Sequence, residues 1–252
     1  MTCDEFSREF DILYNNITSN QAPALNSYEK SVFLTNAQES FILSCYNGNG
    51  RTGFEGTEAF TSYLSHLTVT SKYNSTDVVA VDVPITNDYQ SFGINFNNDV
   101  WFIVYESATV IPNGKDTCYP NGKEVSVLPI TYDTLDRAKK DPFRKPNERK
   151  ILRVSRNGIT GTSLRGVELL CSKGDTFKSY LVKYVKKPNP IVLTNLSTDY
   201  PGIGLTVESI SIKTECTLPE STHRAILLEA VQLAKAAYMA SSGNVQTQDN
   251  NS

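Results

Sequence analysis

The stretch TLPESTHRAILLEAVQLAKAAY, residues 217–238, decides the fold. Thr217, Pro219 and Glu220 open a helix, with the proline in the first turn, where its missing N–H does no harm. Ile226, Leu227, Ala230, Ala234, Ala237 and Tyr238 follow at helical spacing, and the alanines let a neighbouring helix approach closely. Gly243 reads as the stop, and the residues after it carry almost no apolar content. An apolar stripe of this kind needs helical partners, and the sequence offers them only at the other end of the chain.

There, Thr2 and Glu5 form a capping-box pattern ahead of Phe6, Phe10, Leu13 and Ile17. Asn26 and Glu29 repeat that signal before Tyr28, Val32, Phe33, Ala37, Phe41 and Cys45, and Asn47-Gly48 closes the second helix. A third helix is predicted over 57–67, burying Phe60, Tyr63, Leu64 and Leu67.

Between these ends the hydrophobic period drops to two. Strands are predicted at 76–85, with Val79, Val81, Val83 and Ile85 on one face, and through Phe92, Ile94 and Phe96. The continuously apolar 100–105 predicts a strand buried on both sides. Further strands are expected at 124–129, 150–155, 167–171, 177–185 and 205–214, with one short helix at 134–140 and turns at Pro112-Asn113-Gly114 and Pro120-Asn121-Gly122. The predicted class is α+β, a helical bundle of both chain ends carrying an inserted, mostly antiparallel β-sandwich or barrel-like domain. Residues 1–70 and 216–241 form the platform, 71–215 the insert and 242–252 a flexible polar tail.

Composition narrows the function. The chain has 252 residues, a net charge of −3, 39% hydrophobic and 20% charged residues, so as a whole it is a poor nucleic-acid glove. No apolar run approaches the roughly 20 residues that span a bilayer, so no membrane partner is expected. The acidic N-terminus lacks signal-peptide regions, and synthesis in a cytoplasm is the expectation. Cys3, Cys45, Cys118, Cys171 and Cys216 are widely spaced and form no C-x-x-C pair, so they read as small buried hydrophobes rather than metal ligands. No metal or cofactor is expected.

Residues 48–53, GNGRTG, match the string of a dinucleotide-binding turn, but they follow a helix where the mechanism needs a strand, so a loop is the better reading. His66 and His223 have no nucleophile motif to serve, and no catalytic residue is assigned. Asp133 and Asp136 can cap the short helix beside the basic run. Residues 137–156 hold nine basic side chains against Asp141 and Glu148, a local charge of +7. Pro142 and Pro146 keep the middle extended, and Phe143 is expected to anchor it against the body. Arg137, Lys139, Lys140, Arg144, Lys145, Arg149 and Lys150 are candidates for contact with a neighbouring subunit, with a plain solvated loop and contact with DNA phosphates as the other readings. Ile226, Ala230, Ala234 and Tyr238 are candidates for subunit or partner contact through the last helix. Lys183, Lys186 and Lys187 read as a charged strand edge, while the tyrosines at 180–187 could equally stack bases.

Four passages carry a family resemblance: EFSREFDILYNNITSN with LNSYEKSVFLTNAQESFIL (within 5–43), DPFRKPNERKILRV (141–154), YLVKYVKKPNPIVLTNL (180–196) and TECTLPESTHRAILLEAVQLAKAAY (214–238). Together they resemble structural proteins of tailed bacteriophages, especially phages of Bacteroides-type bacteria with crAss-like virions. The layout is also similar to head-to-tail adaptors of short-tailed phages. The resemblance implies a virion neck component: a homo-oligomeric ring, twelvefold in that family, docked beneath the portal protein around the DNA channel. Neighbouring neck or tail ring proteins and passing DNA would then lie close, and the last helix would face the portal. A tail or fibre-attachment protein working through its β part, and a DNA-binding protein working through 137–156, are the alternatives.

Overall fold

A computed structural model describes residues 1–15, 24–47, 62–81, 84–96, 99–112, 119–157 and 165–248, the last eight as backbone only. The protein is α+β and divides into two compact units, Met1–Leu67 with Pro188–Ser252, and Thr68–Lys187.

The helical unit holds α1 (Cys3–Asn15), α2 (Ser27–Asn47) and, later in the chain, a long C-terminal helix (Glu220–Gln248). Both caps form as the sequence predicts. Thr2 N donates to Glu5 Oε2 at 2.8 Å and Glu5 N to Thr2 Oγ1 at 3.3 Å, while Asn26 and Glu29 exchange bonds of 2.8 and 2.9 Å. Cys3, Phe6, Phe10 and Tyr14 are the buried stripe of α1, and α1 and α2 both pack on the C-terminal helix. Polar ties fix this packing: Lys235 Nζ donates to Leu13 O at 2.8 Å, and Lys30 meets Asp11 at 2.7 Å. Of the predicted third helix, 62–64 are helical and Ser65–Leu67 form a 3-10 turn, while 57–61 and the GNGRTG loop fall outside the described residues.

Two expectations fail here. The last helix does not stop at Gly243 but runs to Gln248, so most of the predicted flexible tail is helical. A helical glycine costs only about 1 kcal/mol relative to alanine, and each added residue gains a backbone bond. The strand expected at 205–214 is likewise absent. This stretch makes two isolated bridges, Val192 with Thr214 and Val207 with Ile210. Glu208 (φ 47°) and Ser209 (φ 69°) adopt left-handed backbone between the last pair, forming a tight turn instead of an extended run.

Residues 188–215 cluster with the helical unit rather than with the insert, for a reason visible on α2. Its buried Ser31, Thr35 and Gln38 share a face and bond the returning chain in sequence. Ser31 Oγ accepts from Leu193 N (3.0 Å), Thr35 Oγ1 accepts from Ile191 N (3.1 Å), and Gln38 Nε2 donates to Asn189 O (3.0 Å). An irregular segment is thus supplied with the partners that a sheet neighbour would give. Val192, Leu196 and Val207 complete the contact, packed against Tyr28 and Val32.

His223, buried in the first turns of the C-terminal helix, packs its ring 5.3 Å from that of Phe6 and bonds Leu218 O through Nε2 at 2.9 Å. Burial, above all, holds its imidazole below the ordinary histidine range. The unfolded chain therefore binds the proton more readily than the folded one. Stability should be fullest above the unfolded value of about 6.5 and should fall as pH drops below it. In chemical denaturation of the helical unit from pH 8 to 5, His223→Gln should remove part of that fall. Equal slopes for both proteins would assign the effect to other groups.

The second unit is one curled sheet of seven strands, not two facing sheets: β1 (Thr68–Asn74), β2 (Gln90–Asn95), β3 (Val100–Ile111), β4 (Lys123–Ile130), β5 (Lys150–Asn157), β6 (Arg165–Cys171) and β7 (Thr176–Lys186), in the order β1-β7-β3-β4-β5-β6-β2. All pairs are antiparallel except β4–β5, which the crossover carrying α3 (Tyr132–Lys140) makes parallel. Ile94, Phe96, Val110, Ile151, Leu169 and Tyr180 form part of the main core. On a second side, α3 sets Leu135 and Ala138 against Leu152, Val154 and Leu170. In the turn before β4, Gly122 (φ +88°) leaves no room for a Cβ, which would lie 2.7 Å from Thr109 Cγ2.

Three strand expectations need correction. Among its described residues the run 76–85 makes one bridge, Val79 with Gly93, and Ile85 N turns to the Glu168 carboxylate (3.1 Å) instead of a sheet neighbour. The first strand among the described residues is β1, in a stretch that falls between the predicted helix 57–67 and the predicted strand 76–85. Val104 and Tyr105 are more than half exposed rather than buried on both sides. The β3–β7 register slips around Ile103 and Tyr105, and such a bulge re-aims side chains.

Candidate interaction surface

The basic run 137–156 is an ordered surface feature. It begins on α3, where Thr131 N bonds Thr134 Oγ1 at 3.1 Å in a capping box. Asp133 lies in the first turn, its carboxyl held below the usual range chiefly by the Thr131 hydroxyl. Arg137, Lys139 and Lys140 occupy the last turn, where cations suit the helix dipole. Asp141 then organises a tight turn. Its carbonyl accepts from Arg144 N (3.1 Å) and Lys145 N (3.0 Å), its Oδ1 accepts from Phe143 N (2.8 Å), and its Oδ2 lies 3.5 Å from Arg144 Nε. Asn147 and Lys150 exchange two backbone bonds of 2.9 and 3.1 Å, and Arg149 O accepts from Ser126 N.

The anchor of this loop is Pro146, which is buried, and not Phe143, which is 83% exposed. Phe143 is thus a surface aromatic, held outward by a turn whose hydrogen bonds all converge on Asp141. Sequence reasoning assigned it the opposite role, because an aromatic between prolines usually packs inward and the turn that prevents this depends on Asp141.

The nine cations divide into two kinds. Arg153 spends its charge inside, with Nε 2.8 Å from Glu106 Oε2, a carboxylate that also accepts from the buried Tyr180 hydroxyl at 2.7 Å. Arg156 Nη1 lies 2.9 Å from Oε2 of the fully buried Glu168. Lys139 lies near Asp88 (3.6 Å) and Asp136 (3.9 Å), and Arg144 near Asp141. Arg137, Lys140, Lys145, Arg149 and Lys150 make no ion pair with a described residue, and these carry the outward field of the segment. Beneath them an open cleft of about 700 Å³ is lined by Asp88, Tyr89, Lys145, Arg149, Lys173 and Asp175 among others.

On the C-terminal helix, Ile226, Ala230 and Ala234 are buried at 0, 0 and 2% exposure within their own unit, and Tyr238 is half-buried. Their surface is used for packing. Leu228, Leu233 and Met239 are large apolar side chains that this helix exposes among the described residues, at 44, 38 and 62%. The lysines at 183–187 do not guard an edge, since β7 lies between β1 and β3, and Tyr180 and Tyr184 are core residues unable to stack on bases.

His66 is exposed in the 3-10 turn and His223 buried in the helical unit. Among the described residues no group of acidic, histidine or cysteine side chains has the arrangement of a metal site. The described cysteines are free thiols, and burial pushes Cys171 up to about 12 and Cys216 up to about 11, which keeps both protonated and unreactive. Cys118 lies outside the described residues. No helix among the described residues is long and apolar enough to cross a membrane.

Known proteins match over nearly the whole chain. The profile of a family described as phage tail ring protein 3/4 matches residues 1–246. Two relatives come from Bacteroides phage crAss001. The one called ring protein 3 is 37% identical over 247 residues, covering 97% of this chain and 99% of its own length. The one called ring protein 4/5 is 34% identical over 239 residues, covering 94% of each.

Proposed function

We propose a place in the virion for this chain from one premise: it belongs to the phage tail ring protein 3/4 family, and is a structural ring protein of the tail or neck. The chain is a subunit of a homo-oligomeric connector ring in the neck, docked beneath the portal protein and enclosing the DNA channel. Twelve copies complete the ring, and it is stacked on neighbouring neck or tail ring proteins. Its synthesis takes place in the host cytoplasm.

The observation that carries this reading is the double match. One phage holds two differently numbered ring proteins, and this chain is related to both along almost its entire length. A single fold used for successive rings must present one face to copies of itself and another to the next layer. The exposed Leu228 and Met239, which share one side of the C-terminal helix, supply an apolar face for the second task, and the cations of 137–150 serve the first.

Removing residues 217–238 would not test this, because Ile226, Leu227 and Ala230 are core and the unit would unfold. Leu228→Asp with Met239→Asp leaves the core intact. The double variant is expected to fold with an unchanged circular dichroism spectrum and to lose co-purification with the portal and adjacent ring proteins, while self-association persists. A wild-type chain that ignores purified portal and is missing from purified virions by mass spectrometry would refute the placement.

A further inference from the structure

We infer that Phe143 is the anchor of a contact between two copies of this chain, in which the cationic turn of one copy seats on the acidic outer face of α1 in the next. This deepens the ring reading and rests on it for the expectation that copies associate. At 83% exposure Phe143 is the most exposed large apolar side chain among the described residues, and it stands on a turn braced by four bonds or ion contacts to Asp141. A ring held in place before binding loses little freedom when it docks, and desolvated aromatics of this kind dominate interface energetics. Arg137, Lys140 and Lys145, free of ion pairs with described residues, are its neighbours in sequence. The complement must therefore be apolar at the centre and acidic at the rim.

The chain carries that complement itself. Thr68–Lys187 contains 18 basic and 13 acidic residues, a net +5, whereas the other unit contains 6 basic and 14 acidic residues, a net −8. A molecule of −3 overall is thus strongly polarised between its two units. Along α1 the outward positions include Glu5 and Glu9 with Ile12 at 59% exposure, while Asp4 is paired with Lys213 at 3.2 Å and Arg8 is the helix's one cation. Glu9 and Ile12 stand three apart and so share a face. An apolar side chain beside carboxylates on α1 matches an aromatic beside cations on the turn. Because the two surfaces differ, each copy offers one and receives on the other, the head-to-tail pattern that closes into a ring. Duplex DNA would meet the cations but would be repelled by the helical unit of the same chain, so a second copy is the better occupant.

The test uses the full chain, with self-association followed by sedimentation velocity and mass photometry at 50 and 500 mM salt. Wild type should associate, less so at high salt. Phe143→Ala should weaken association by about thirtyfold or more, with an unchanged thermal transition. Lys145→Glu and Glu9→Lys should each weaken it by about tenfold, and the two in one chain should restore it. Four results overturn the proposal: a Phe143→Ala chain that associates normally, a double variant that stays weak, a wild type that joins another ring protein but never itself, or loss of duplex binding in Lys145→Glu with self-association unmoved. The first, second and fourth of these leave the ring reading standing, whereas a wild type that never joins itself removes both.

Discussion

Arg156→Met is expected to cost the β unit about 3–5 kcal/mol, because it leaves the Glu168 carboxylate buried without its counter-charge. Glu168 has no exposed surface, and its two oxygens are shared between the Arg156 guanidinium at 2.9 Å and the Ile85 amide at 3.1 Å. One backbone N–H cannot replace a cation for a carboxylate with no exposed surface. Adding Glu168→Gln should recover much of the loss, since the neutral amide keeps an acceptor for Ile85 N. Glu168→Leu would orphan that N–H and recover less. Trp101, the chain's one tryptophan, lies in β3, so its fluorescence during urea unfolding follows this unit. A loss below about 1 kcal/mol for Arg156→Met would mean that water reaches Glu168.

The helical unit should be comparably sensitive to Phe10→Ala, at about 3–5 kcal/mol. Phe10 is wholly buried on α1, its ring 6.1 Å from that of Tyr14, in a face that also holds Phe6. Truncation removes apolar area and leaves a hole, and α1 is short, so tertiary packing supplies most of its stability. Hydrogen exchange should show lost protection across α1 and the adjoining C-terminal helix. Protection confined to its former level would show that neighbouring side chains had closed the hole.

What could be read from the sequence was what is local. The capping boxes at Thr2 and Asn26, the stripe Phe6–Phe10 and the strands β5, β6 and β7 depend on neighbours a few residues apart, and each formed close to its predicted bounds. What escaped depends on distant partners. β1 carries only Val69 and Tyr73 toward the core, and its pairing with β7 comes from more than a hundred residues away. Val79 and Ile85 have the composition of a strand, but Val79 makes a single bridge to Gly93 and Ile85 N turns to Glu168. Ser31, Thr35 and Gln38 look like gaps in an apolar stripe until residues 189–193 arrive to bond them. The surface was legible as a concentration of charge, but not as its useful part. Arg153 and Arg156 carry the same charge as Lys145, and only the positions of Glu106 and Glu168 reveal that they are internal. Phe143 was legible as an aromatic in a basic loop and misread in direction.

The pairing of β1 with β7 has an evolutionary corollary. The chain leaves for the sheet at Thr68 and comes back just after Lys186, and Thr68 stands opposite Val185 in the ladder. Doorway and exit are therefore about 5 Å apart, the separation of facing residues on adjacent antiparallel strands. A segment whose ends nearly touch can be lengthened, shortened or exchanged as a cassette without moving the scaffold that hosts it. A virus that builds several unlike hoops from one gene lineage could vary that cassette and leave its helical socket untouched.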